Sequence, residues 1–175
     1  MTVHDFAFIL DADPHDEAVE DIFMEHPFDD ATLILQNGAL ALSFDREGES
    51  FKSAVLSAYQ DIRNTDVPIL SFEPDYLVTS AEIARRVGLS RSAISKYEHS
   101  DIGFPAPVKQ VLAKRPMYDW VRVSRWFVGR GEMSEVEYHK ALISRVMNFG
   151  TQAQSTMKLP VDVPKLVNDA LEAAG

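Results

Sequence analysis

The chain has 175 residues, of which 46% are hydrophobic and 25% charged, and its mean hydropathy is −0.13. This composition is typical of a soluble globular protein, and no apolar run approaches the roughly 18 residues that a membrane-spanning helix needs. The lack of cysteine excludes disulfides, thiolate nucleophiles and Cys-based zinc sites. Because the N-terminus also lacks the features of a secretory signal, the sequence predicts a cytoplasmic protein.

The net charge of −10 is unevenly distributed along the chain. Residues 1–78 carry 17 acidic and 3 basic side chains, a net charge of −14. Residues 79–131 carry 10 basic and 4 acidic side chains, a net charge of +6, and residues 132–175 have a net charge of −2. A basic segment within an acidic chain indicates a local surface that binds a polyanion.

The first predicted elements are a strand and a helix. The apolar run at residues 6–10 predicts a central strand, and Asp13-Pro14 opens a helix to about Glu25. The loop at residues 11–17 offers four carboxylates and His15, which suggests a metal site. Helix capping explains these carboxylates more simply, since a helix N-terminus favours negative charge. We therefore predict no metal site.

A hairpin, a helix and a strand follow. Asn37-Gly38 lies between apolar runs at 31–36 and 39–44 and predicts a type I′ turn. Residues 49–64 predict a helix and residues 67–72 a strand. The helix has one apolar stripe of 3.6-residue period: Phe51, Ala54, Val55, Ala58, Tyr59 and Ile62.

The order β-α-β-β-α-β resembles the ferredoxin-like fold and predicts an acidic domain over residues 1–75. This topology hosts many activities, so it leaves the function open. A Ser-His-Asp spacing, a glycine-rich phosphate loop and an HExxH motif are all missing from the sequence. We therefore predict no catalytic residues, no cofactor and no enzyme activity.

Residues 80–99, SAEIARRVGLSRSAISKYEH, fit the helix-turn-helix template. Ala84 is small where two helices approach, Gly88 suits a turn with positive φ, and Ser90 is a natural N-cap. Five apolar residues are predicted to hold the helices together: Ile83, Val87, Leu89, Ile94 and Tyr97. The outward positions of the second helix are then Arg91, Ser92, Ser95, Lys96 and His99, whose side chains suit base edges and phosphates.

The segment from about Leu77 to Gly131 resembles the winged or excisionase-type helix-turn-helix domains of the MerR/AlpA-like group. The resemblance rests on residues 79–98, on FPAPV at 104–108 and on YDWVRVSRWF at 118–127. It implies a DNA-binding domain over residues 76–131 with a short β-wing after the recognition helix. On the first helix Arg85 and Arg86 are candidate phosphate contacts, and on the wing Lys109, Lys114 and Arg115. Trp120 and Trp126 are predicted to be core residues.

The third segment, residues 132–175, is predicted to be helical. Ser134 and Glu137 form a candidate capping box for a helix to about Phe149, residues 150–159 read as a linker, and Pro164 starts a last helix. The first of these helices has enough apolar residues to suggest a dimer interface: Val136, Ile143, Val146, Met147 and Phe149.

The sequence thus predicts an α+β protein that binds double-stranded DNA as a homodimer and regulates transcription. The dimer surface is either the acidic domain or the segment 132–175. A different class also fits, namely an antitoxin or phage-associated accessory protein whose acidic domain binds a protein partner and whose helix-turn-helix serves autoregulation. A small-molecule effector of the acidic domain is a further alternative, and no membrane partner is expected.

Overall fold

A computed structural model describes residues 1–16, 19, 21–23, 28–100 and 103–175. The protein is of mixed α+β type and divides into two compact units, residues 1–74 with 146–175 and residues 75–145. The first break lies one residue from the predicted boundary, and the predicted third segment is shared between the two units. No helix within the described ranges is long and apolar enough to cross a membrane.

The first unit is built on a four-stranded antiparallel sheet. Its strands are β1 (Thr2–Leu10), β2 (Ala31–Gln36), β3 (Ala39–Gly48) and β4 (Ile69–Glu73). They lie in the order β2-β3-β1-β4, so that β1 and β3 are central. β1 and β3 are longer than the sequence predicts because they pair along their full length, from Thr2 opposite Gly48 to Leu10 opposite Leu40.

The predicted hairpin between β2 and β3 is present. Asn37 and Gly38 have φ angles of 52° and 79°, the positive values that a type I′ turn requires. The large apolar residues of β3 alternate towards one buried face of the sheet, as their period of two predicts. Of the helix predicted between β1 and β2, Val19 and residues 21–23 are helical, and Glu25 lies outside the described residues.

Helix α1 (Phe51–Arg63) covers the buried face of this sheet. Its N-cap is Ser50, which forms a capping box with Ser53. All six residues of the predicted apolar stripe are buried. Phe51 meets the rings of Phe6 and Phe72 edge-on, at centroid distances of 5.9 and 6.3 Å, so the helix and the sheet share one aromatic core.

The second unit contains short strands and helices. β5 (Leu77–Val78) pairs antiparallel with β6 (Tyr118–Asp119). The helices are α2 (Ser80–Val87), α3 (Arg91–Ser100) and α4 (Trp120–Gly129). Helix α5 (Glu135–Met157) begins in this unit and ends in the first, which also contains α6 (Val163–Glu172).

The linker predicted at residues 150–159 is wrong, because α5 continues to Met157. Gly150 is buried, and a Cβ atom there would lie 2.6 Å from Cγ2 of Val163. The glycine is therefore a packing position for α6 and does not mark a helix end. Thr151 is also buried, and its hydroxyl donates a hydrogen bond to the carbonyl of Met147 at 2.9 Å.

The other end of α5 follows the prediction in part. Ser134 caps the helix, since its Oγ accepts a hydrogen bond from the Glu137 N–H at 3.4 Å. The Glu137 carboxylate pairs with Lys140 at 2.7 Å. Further along α5, Asn148 is buried and bonds both backbone groups of Phe72 on the edge strand β4, at 3.0 and 2.9 Å.

The apolar surface predicted for dimerisation is smaller than the sequence suggests. Ile143 and Met147 are buried within the chain, whereas Val136 and Phe149 remain exposed. Residues on a helix that packs inside its own protein give the same sequence pattern as residues on a helix that packs against a second copy.

Candidate nucleic-acid interface

Local sequence fixes the turn between α2 and α3. Thr79 and Glu82 form a capping box at the start of α2, and Gly88 ends this helix with a φ of 70°. The N–H of Leu89 then donates to the carbonyl of Ala84 at 2.9 Å. Ser90 caps α3, because its Oγ accepts from the N–H of Ala93 at 3.1 Å. The positive φ predicted for Gly88 and the N-cap predicted at Ser90 are both confirmed.

The two helices pack through a small apolar contact. Ile83, Ala84 and Ile94 are buried, and Val87 and Tyr97 are half-buried, as the template predicts. The prediction for Leu89 is wrong, since 38% of this residue is exposed. It follows the left-handed Gly88, and its backbone N–H donates a hydrogen bond at the end of α2.

The five outward residues of α3 form one exposed polar face: Arg91, Ser92, Ser95, Lys96 and His99. At about 100° per residue they span an arc of about 140°, with the buried Ile94 outside it. Within the described residues no ion pair engages Arg91 or Lys96. Both side chains are exposed and remain available to an anionic partner.

Glu98 fixes the orientation of α3 from its other side. Its carboxylate accepts a hydrogen bond from the Ser80 hydroxyl at the start of α2. Burial, together with its hydrogen bond to Glu98, raises the pKa of Tyr118 to about 12, so this phenol stays protonated and donates at any physiological pH. Glu98 thus joins α3 to both α2 and β6.

The two arginines of α2 have different roles. Arg85 is exposed and makes no ion pair with the described residues, so it remains a candidate phosphate contact. The side chain of Arg86 is 14% exposed. It donates to the Asp75 carbonyl at 2.9 Å and lies 5.2 Å over the ring of Trp120. These contacts indicate that Arg86 stabilises the second unit, a role that the sequence analysis missed.

A short hairpin follows α3. Lys109 and Met117 form an antiparallel bridge, with N–H···O distances of 2.9 and 3.2 Å. Residues 110–116 connect them, and Lys109, Lys114 and Arg115 are all exposed. The three cations predicted for a wing therefore lie on one small hairpin.

Aromatic packing connects this hairpin to α3. Phe104 stacks on Tyr97 of α3 at 6.2 Å and meets Tyr118 of β6 edge-on at 5.9 Å. Trp126 packs edge-on against both Tyr97 and Phe104 at 5.1 Å. Trp120 is buried and Trp126 half-buried, as predicted for core residues.

Within the described part of the acidic loop after β1, Asp13 forms a local turn. The carboxylate of Asp13 accepts a hydrogen bond from the N–H of His15 at 2.9 Å. Across the described part of the chain, no group of three His, Asp or Glu side chains is placed to hold a metal ion. Glu17 lies outside the described residues.

The sequence analysis also missed one exposed apolar residue. Leu112, at the tip of the hairpin, is 102% exposed. The apolar pair Val111-Leu112 between Pro107 and Pro116, in a segment without strand or helix periodicity, is a signal that the sequence offered.

No protein-family model, curated protein or solved structure matches this chain. Its function has to be inferred from the arrangement of its own residues.

Proposed function

We propose that this protein is a sequence-specific regulator of transcription that binds double-stranded DNA through its second unit. In this proposal α2 and α3 are a helix-turn-helix, and α3 enters the major groove beginning at Arg91. Residues 109–117 are the wing, and Lys109, Lys114 and Arg115 hold phosphates. The first unit is a ferredoxin-like domain in this proposal, because its four strands lie in the order β2-β3-β1-β4.

One observation carries the proposal: α3 is buried through one face and presents a continuous polar, cationic face on the other. Ten residues give a helix about 15 Å long, which the major groove admits. Arg and Lys are the side chains that most often read guanine, through its O6 and N7 atoms.

The test is selection of bound duplexes from a random pool with the purified full-length protein, followed by fluorescence anisotropy on the selected site. We expect enrichment of a defined sequence. A pool that remains random, with folding intact, would contradict the proposal.

Two substitutions in α3 test direct readout. Arg91→Ala and Lys96→Ala should each weaken binding to the selected site by about 1–3 kcal/mol and relax specificity at particular base pairs. Arg85→Ala should weaken all sequences about equally, because a phosphate contact carries no sequence information. Lys165→Ala is the matched control, since it removes one exposed positive charge from the first unit. If Arg91→Ala and Lys96→Ala behave like Arg85→Ala, sequence is read elsewhere.

A further inference from the structure

The hairpin at residues 109–117 has an apolar tip. Leu112 is 102% exposed and Val111 59% exposed, and Val108 at the base is 40% exposed. Single exposed leucines are ordinary on protein surfaces. Here, however, two adjacent residues of one hairpin are both apolar and both exposed, and the side chain of Leu112 contributes nothing to the core.

The backbone of this hairpin is well defined by hydrogen bonds. Val108 N–H donates to the carbonyl of Met117 at 2.8 Å, and Met117 N–H donates to Lys109 at 2.9 Å. Inside the loop, Ala113 N–H donates to Gln110 at 2.8 Å, with Gln110 at a φ of 50°. The hairpin therefore holds its tip away from the body of the unit.

The charge around the tip is of one sign. Residues 103–118 contain Lys109, Lys114 and Arg115 and no acidic residue. All three cations are exposed. Duplex DNA has negatively charged phosphates outside and stacked, largely apolar bases inside. An exposed leucine flanked by cations complements both features.

The aromatic cluster packs α3 against residues beside the base of the hairpin. Tyr97 of α3 stacks on Phe104, which contacts Tyr118 beside the base of the hairpin. α3 and the base of the hairpin therefore belong to one packed aromatic cluster.

We propose that Leu112 is an apolar wedge that enters the minor groove beside the site of α3, partly unstacks one base step and bends the duplex. Lys114 and Arg115 neutralise the phosphates on either side. The proposal rests on the proposed DNA binding and adds to it a residue that deforms DNA. Flexible pyrimidine–purine steps cost least to unstack, so the wedge favours sites with such a step at this position.

The test uses full-length protein and its selected duplex, labelled at both ends for energy transfer and with 2-aminopurine at successive flanking positions. Leu112→Ser is the test variant, and the conservative Leu112→Met retains an apolar side chain. Met157→Ser is the matched control because Met157 is also exposed, at 67%, and belongs to the first unit. Circular dichroism of each variant checks folding, which a fully exposed position should leave unchanged.

We expect the wild-type protein to increase end-to-end energy transfer and 2-aminopurine fluorescence at one flanking step. Leu112→Ser should lose both signals and bind roughly tenfold more weakly, while Leu112→Met and Met157→Ser retain them. If Leu112→Ser binds and bends DNA like the wild type, the wedge is wrong and the proposed DNA binding stands. If the wild-type protein binds no duplex, the proposed function itself fails. Leu112-dependent binding to anionic lipid vesicles, without Leu112 dependence on DNA, would reassign the tip to a membrane surface.

Discussion

Among single residues, Arg46 stands at the centre of a polar network in the first unit. It is 8% exposed, and it bonds both carboxylate oxygens of Asp30, at 2.6 and 3.0 Å. It also donates to Ser57 at 2.8 Å and to Asp61. Its guanidinium lies 4.8 Å over the ring of Phe44. This network connects β3 to α1 and to the residues before β2.

We expect Arg46→Met to lower the free energy of unfolding of the first unit by about 2–4 kcal/mol. The substitution leaves two carboxylates without their cation, which costs more than the pair itself contributes. Because Trp120 and Trp126 both lie in the second unit, tryptophan fluorescence follows that unit and far-ultraviolet circular dichroism follows both. A shift of the circular dichroism transition without a shift of the fluorescence transition is the expected result. Unchanged circular dichroism would show that the network contributes nothing.

The same network makes stability depend on pH. The Arg46 hydrogen bond holds the pKa of Asp30 below its usual value of 3.8. A lowered native pKa contributes stability that is fully present above the unfolded pKa and lost as pH falls through the native pKa. We therefore expect the wild-type protein to lose stability below about pH 4. Arg46→Met should lose less stability than the wild type between pH 7 and pH 3. The difference between the denaturation midpoints at these two pH values measures the loss for each protein.

At the scale of elements, the packing of α6 on α5 depends on one glycine. The Cβ of Gly150→Ala would lie 2.6 Å from Val163, which is fully buried. We expect a loss of about 1–2 kcal/mol, since overpacking outweighs the gain in helix propensity. The combination with Val163→Ala should be less destabilised than the sum of the two single changes.

Gly129→Ala is the matched control for this prediction. Gly129 is also helical, and a Cβ there would meet no atom within 4 Å. This substitution should be neutral or stabilising, by up to about 1 kcal/mol. Equal effects of the two alanine substitutions would contradict the packing role of Gly150.

For the whole molecule, the salt dependence of the DNA-binding constant reports the number of phosphates that the protein neutralises. Six of the predicted DNA contacts are exposed cations that form no ion pair with the described residues: Arg85, Arg91, Lys96, Lys109, Lys114 and Arg115. Four to six phosphate contacts per subunit give a slope of log K against log salt of about −4 to −5. Anisotropy titrations at several salt concentrations measure it. A slope near zero would exclude phosphate binding by these residues.

Assembly is the second prediction at this scale. One helix-turn-helix reads too few base pairs to select a genomic site, so we expect a homodimer whose recognition helices lie about 34 Å apart on an inverted repeat. Light scattering at micromolar concentration, with and without DNA, measures the mass. A monomer under both conditions would contradict the dimer.

Two substitutions then locate the interface. Deletion of residues 146–175 would remove part of the first unit, so point changes are preferable. Val136→Glu tests helix α5, and Leu35→Glu tests the edge strand β2, where Leu35 is 52% exposed. The variant that dissociates the dimer identifies the surface, and we expect it to be Val136→Glu.

The sequence by itself determined the features that depend on neighbouring residues. The Asn37-Gly38 turn, the apolar stripe of α1, the positive φ of Gly88 and the Ser90 cap were all predictable. Each follows from the backbone preference of one residue or from the period of one element, and these act within a few positions of the chain.

Only the tertiary structure decided the features that depend on residues distant in sequence. From the sequence, Gly150 indicates a linker, but in the structure it packs against Val163. Ile143 and Met147 suggest a dimer interface, but in the structure both are buried within the chain. Arg86 resembles a phosphate contact until its bond to Asp75 and its stacking on Trp120 are known. The local sequence determines on which face of a helix or strand a side chain lies. Whether that face is buried or forms ion pairs depends on the distant residues that pack against it.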